Sequence, residues 1–142
     1  MKDLLQKIKE QAVVIKDEII VIRRHLHQNP ELSFKEFETS KYVCSKLEEY
    51  NIEYTNSFVE TGIVALIRGI NPDSKTVALR ADMDALPIQE ENEIAYKSKN
   101  EGVMHACGHD VHTSSLLGTA KILNELKGNF EGTIKLIFQP GE

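Results

Sequence analysis

From Leu5 onward the apolar residues Ile8, Ala12, Ile15, Ile19, Ile22 and Leu26 recur at alternating spacings of four and three. That is one stripe of a long amphipathic helix. Asn29 and Pro30 end it, because the residue before a proline is pushed out of the helical region. The same stripe would serve as a coiled-coil seam, but so short a repeat suits packing within one domain better. A second helix is predicted from Ser33, where Ser33 and Glu36 make a capping box, to about Tyr50, with Phe37, Cys44 and Leu47 inward. After Asn51 the pattern becomes that of strands, in IEYT, GIVALIRG and KTVALRAD, broken by turn-forming stretches such as Asn71-Pro72-Asp73-Ser74. The last two runs are predicted to pair as a hairpin. From Met83 to about Met104 periodicity is lost and the acids Glu90, Glu91 and Glu93 gather. So long an irregular segment is more often a functional lid than a neutral connector, with a solvated loop as the plainer alternative. Helical spacing returns from about Asp110 to Leu126, and the strand-like TIKLIFQ precedes Pro140, Gly141 and Glu142.

Strand 75–82, helix 110–126 and strand 133–139 read as a βαβ unit. A right-handed crossover makes the two strands parallel, so their carboxyl ends share one edge of the sheet. Asp82 ends the first strand, Glu142 follows the second, and His109 and Asp110 open the helix between them. Ligand sites of open α/β sheets lie outside the carboxyl ends of strands, so these residues are expected in one crevice.

Composition narrows what that crevice does. The chain has 142 residues, 41% hydrophobic and 27% charged, in the range of one domain with a modest core. Its formal net charge of −5 is spread among interspersed acids and bases. No basic face argues for nucleic acid and no polybasic run for a membrane surface. The N-terminus MKDLLQKIKEQ lacks the apolar core of a signal peptide, so a cytoplasmic protein is expected. Two distant cysteines, Cys44 and Cys107, make a poor disulfide framework, which leaves reduced thiols, one of them a candidate ligand.

HACGHDVH, residues 105–112, holds three of the five histidines. Cys107 and His109 flank Gly108, and residues two apart in an extended segment point the same way, so thiolate and imidazole can meet one ion. The adjacent helix N-terminus favours thiolate and neutral imidazole, the forms that ligate. His105, Asp110 and His112 are candidates to orient these ligands. Plain alternatives are a helix cap for Asp110 and satisfied polar residues for His105 and His112. A structural zinc site would need a second ligand pair, which is missing. The carboxylates Asp82, Asp84 and Glu142 are the available further partners, and they make a harder, hydrolytic type of site. A metal-activated water beside a carboxylate base hydrolyses amides, and Glu142 is placed for the base.

RRHLHQNPEL, LRADMDALPI, MHACGHDVHT and FQPGE, in that order from about Arg23 to the last residue, resemble the N-terminal part of the metal-dependent amidohydrolases. That family includes hippurate hydrolase, plant auxin-conjugate hydrolases, bacterial N-acetyldiaminopimelate deacetylase and the aminoacylase-carboxypeptidase peptidases. The resemblance implies an α/β fold of the zinc-exopeptidase type, a mixed sheet flanked by helices. It implies that Cys107 and His109 ligate a site of two divalent metal ions, with zinc, manganese, cobalt and nickel all compatible. It also implies that Glu142 is the general base, that Asp82 supports the site, and that the substrate is a small N-acyl amino acid. Other branches carry a histidine ligand where Arg80 stands, consistent with cysteine having taken over that task.

Family members are more than twice as long. In them the glutamate pair that begins at Glu142 is followed by two histidine ligands and a satellite domain, often used for dimerisation, which implies a homo-oligomeric parent. Residues 1–142 are therefore expected to be the first part of an incomplete catalytic domain, without its satellite domain. The alternatives are an inactive fragment that binds metal weakly and a non-enzymatic structural-metal module.

Overall fold

Alternation in GIVALIRG puts Ile63, Ala65 and Ile67 on one face, and all three are buried in β2 (Ile63–Arg68). The computed structural model, which describes residues 2–142, pairs β2 antiparallel with β1 (Glu53–Thr55) and with β4 (Thr133–Gln139). β3 (Thr76–Asp82) runs parallel to β4, with Thr76 opposite Thr133 and Asp82 opposite Gln139. The order is thus β1-β2-β4-β3. β2 and β3 do not form the expected hairpin, because β4 lies between them. The chain leaving β2 bonds to the approach to β4, with the Gly69 and Ile70 amides donating to the Gly132 and Phe130 carbonyls. A 3₁₀ turn, Pro72–Ser74, then carries it past β4 to the edge.

The βαβ reading holds. α4 (His109–Glu125) crosses over the sheet and buries Leu116, Leu117, Ala120 and Ile122. Against it pack α1 (Lys2–Val14) and α2 (Lys16–Gln28), two helices where the periodicity suggests one. The backbone stays helical through Ile15, at φ −87° and ψ −1°. A fresh first turn with Asp17 and Glu18 begins there, and acids favour a helix N-terminus. Glu18 accepts hydrogen bonds from Tyr50 Oη and Lys121 Nζ, both at 2.6 Å, which fixes α2 to the body of the domain. Of the apolar stripe, Ile22 and Leu26 are buried. Ile15 and Ile19 are half-buried over Gly118 of α4, where an added Cβ would come within 2.9 Å of Ile19.

α3 (Phe37–Glu49) starts later than its expected capping box. Ser33 and Glu36 are engaged elsewhere: the Ser33 hydroxyl donates to Asp84, and the Glu36 carboxylate accepts the Phe34 amide. Phe34 itself has φ +60°, in the left-handed region, which prevents helix from extending upstream. Leu47 is buried as expected, Cys44 half-buried, and Phe37 exposed. No helix among the described residues is long and apolar enough to cross a membrane.

Candidate metal centre

Asp82 at the end of β3, His109 at the start of α4 and Glu142 beyond β4 meet at the carboxyl edge of the sheet, as the βαβ topology requires. Gly108 precedes α4 with φ +81°. Its missing side chain matters for that angle, not for room, since nothing lies within 4 Å of an added Cβ.

His109 is 4% exposed, and its two ring nitrogens face different surroundings. Nδ1 lies 2.9 Å from the Asp84 carbonyl oxygen and 3.0 Å from Asp84 Oδ1, both acceptors, so Nδ1 carries the hydrogen. Nε2 then presents a lone pair, and 3.1 Å away stands Glu142 Oε2, another lone-pair atom. Two such atoms at that separation need a proton or a cation between or beside them. A histidine with its far nitrogen held by a carboxylate is also the arrangement that orients metal ligands.

Asp82 is divided in the same manner. Arg80 donates from Nε and Nη2 to Oδ1, at 2.8 and 2.5 Å, which leaves Oδ2 facing His112 Nδ1 at 3.6 Å. Donor atoms of Asp82, His109 and His112 all lie within 4.8 Å of one another, and two imidazoles with a carboxylate suit zinc and similar borderline cations. The donor set therefore fits a divalent metal. Cys107 is exposed and lies outside this trio, at the mouth of the turn that leads into α4.

Asp84 does more than its place among the candidate carboxylates suggests. Besides holding His109, its Oδ2 accepts the Ser33 hydroxyl at 2.6 Å and the Glu142 amide at 3.3 Å. Burial alone would raise its pKa, but the Ser33 hydroxyl, the Glu142 amide and the nearby His109 outweigh burial and lower it.

Behind α4 lies a buried cluster that sequence reasoning did not find. Asp110 Oδ2 forms an ion pair with Arg23, 2.8 Å from Nε, and pairs with His27 Nδ1 at 2.7 Å, while His27 Nε2 meets Glu90 Oε1 at 3.0 Å. The spacing of Arg23 and His27, four apart on a helix, was the signal available for it. Asp110 is thus tied to α2, while Gly108 holds the helix cap. Of the three acids gathered in the irregular segment, Glu90 is 1% exposed, whereas Glu91 and Glu93 are in solvent. Burial would raise the Glu90 pKa, but the Ser98 amide, His27 and Asn92 together hold it down at about 2. His105 is buried with no hydrogen-bond partner for either ring nitrogen. Burial, the largest influence, lowers its pKa to about 4, so it is neutral at pH 7.

Residues 78–142 match the family described as Peptidase family M20/M25/M40. Thermostable carboxypeptidase 2 of Saccharolobus solfataricus is 52% identical over 141 residues, 99% of this chain and 36% of that protein. N-acyl-L-amino acid amidohydrolase of Geobacillus stearothermophilus is 47% identical over 137 residues, 96% of this chain and 37% of that protein. Among solved structures, the YXEP protein of Bacillus subtilis, described as a dinuclear metal binding peptidase of the M20 family, superposes with a TM-score of 0.87 at 46% identity. That match covers 91% of this chain and 36% of the other. The chain spans little more than a third of the length of these relatives. Residues 78–142 carry the peptidase family M20 match, and the chain corresponds to the N-terminal part of the relatives it matches.

Proposed function

We propose that the complete protein is a metal-dependent amidohydrolase that removes the acyl group from an N-acyl amino acid at this sheet edge. The observation that carries the reading is His109, with Nδ1 held by Asp84 and the Nε2 lone pair turned to the Glu142 carboxylate. The names of the relatives, a carboxypeptidase and an N-acyl-L-amino acid amidohydrolase, support the substrate class.

His109 and Cys107 would hold two divalent ions, with Asp82 and His112 within reach of His109. When bound, such ions supply Lewis acidity, which polarises the scissile carbonyl and makes a water acidic enough to lose a proton near neutral pH. Glu142 Oε2 takes that proton, and its side chain is more than half exposed, open to both water and substrate. Oxygen adds to the amide carbon, the C–N bond breaks, and Glu142 returns the proton to the leaving nitrogen. The products are a carboxylic acid and a free amino acid. Arg80 keeps Asp82 Oδ1 occupied, so that only Oδ2 faces the site.

Glu142→Gln tests the assignment in the complete protein. The variant should retain its metal and lose about 10²–10⁴-fold in turnover of N-acetyl amino acids. Unchanged turnover with normal metal content would assign the base to another residue. Cys107→Ala and His109→Ala should each lower metal content and rate together, and full occupancy in either would remove that residue from the ligand set.

A further inference from the structure

We infer that Glu36 is a positioning residue for Glu142: a fully buried carboxylate, outside the metal cluster, that holds the turn on which the base is carried. The inference rests on the assignment of Glu142 as general base.

Glu36 is 0% exposed, and a buried carboxylate persists only if its lone pairs are filled. Three donors fill them, from three separate segments. Oε1 accepts the Phe34 amide at 2.9 Å and the Gly141 amide at 3.0 Å, and Oε2 accepts the Thr61 hydroxyl at 2.9 Å. Thr61, at the entry to β2, is itself 1% exposed, so this end of the carboxylate is sealed in the core. The other end reaches the residue immediately before Glu142.

Two further contacts make the same turn depend on the segment 33–36. Gly141 has φ +59°, and an added Cβ would come within 2.6 Å of the Phe34 ring, so the ring lies close against the turn. Asp84 Oδ2 receives the Ser33 hydroxyl and the Glu142 amide together. Consecutive amides of the turn, at Gly141 and Glu142, are thus each held by a carboxylate. Apart from its 3.1 Å approach to His109 Nε2, the Glu142 carboxyl meets only Arg80, at 3.6 Å, and is more than half exposed. Its aim at His109 is therefore set by its backbone, and the backbone is set by Glu36 and Asp84. This gives a role to Ser33, Phe34 and Glu36, which the helix-capping interpretation of the same residues did not.

The test uses four variants of the complete protein, each measured for kcat, KM, metal content and amide hydrogen exchange of the segment 139–142. In Glu36→Ala the exchange of this segment should quicken at least tenfold and kcat should fall about 10- to 100-fold, the cost of misplacing a catalytic group by about 1 Å. KM and metal content should stay within twofold. Glu36→Gln keeps a carbonyl for the two amides and can donate to Thr61, so it should restore most of the rate. Thr61→Val removes the core contact alone; it should lower stability without changing kcat. Equal loss of kcat in Thr61→Val and Glu36→Ala would show that Glu36 serves the fold and not the base, and would overturn the inference. Normal exchange or normal kcat in Glu36→Ala would overturn it too, leaving the base assignment standing. Normal turnover in Glu142→Gln would remove the base assignment and this inference with it.

Discussion

Helix α1 and the irregular segment 83–104 differ in opposite directions. α1 is a regular helix of 13 residues, yet none of its described side chains is buried, and Leu5, Val13 and Val14 are 55%, 75% and 81% exposed. Residues 83–104 have almost no regular structure, yet they contribute the buried residues Met83, Asp84, Ala85 and Glu90. Isolated bridges join Leu32 to Ala85 and Leu86 to Met104, and the Ser98 and Gly102 amides are held by side chains of the same segment. Regularity and anchoring are separate properties. A helix satisfies its own backbone and needs little from its surroundings, whereas an irregular segment must find a side-chain or distant partner for each buried polar group. The site depends on the second kind of structure, since Asp84 of that segment orients both His109 and Glu142.

The contrast can be broken most sharply at Glu90. Glu90→Ala leaves His27 without one of its two carboxylates in a buried cluster and should cost about 3–5 kcal/mol in chemical denaturation. A loss below 1 kcal/mol would show that the segment is not anchored there. Asp84→Asn should come next. It weakens the hold on His109 Nδ1 and should lower metal affinity about 10- to 100-fold by equilibrium dialysis, with the fold retained in circular dichroism.

The pH dependence of stability follows from the sign of the Glu90 shift. Its pKa is lowered from 4.5 to about 2 on folding, so the unfolded chain binds this proton first as pH falls. The contribution of Glu90 is complete above about pH 4.5 and drains away between there and about pH 2. Denaturation midpoints measured across that window should fall less steeply in Glu90→Gln than in the parent protein, and identical slopes would contradict the clamp. The smallest effect belongs to α1. Val13→Ser and Val14→Ser should change stability by no more than about 0.5 kcal/mol, and a larger loss would mean that α1 is anchored more tightly than its exposure shows.

The same contrast explains what could be read from the sequence. The βαβ unit and its carboxyl edge were legible because buried strands and an amphipathic crossover helix leave periodic traces, in KTVALRAD, in the stretch 110–126 and in TIKLIFQ. The position of β4 between β2 and β3 was not, because strand order depends on pairings far apart in sequence that no local pattern records. Nor was the break at Ile15, where the backbone stays helical and only the partners change. Asp82, His109 and Glu142 were brought to one edge by topology alone. Asp84 was legible as a candidate carboxylate but not as the holder of His109, and Glu36 and Glu90 were hidden in the same way. A buried carboxylate in a loop looks the same in sequence as a solvated one, and what distinguishes it is a donor tens of residues away.

A metallohydrolase site at the sheet edge is tested most directly by the rate of N-acetyl amino acid hydrolysis as a divalent cation is returned to the metal-free complete protein. The expected result is no hydrolysis without metal and a rise to a plateau at two ions per chain. A full rate in the metal-free protein, or tight binding of metal with no hydrolysis of any N-acyl amino acid, would contradict it.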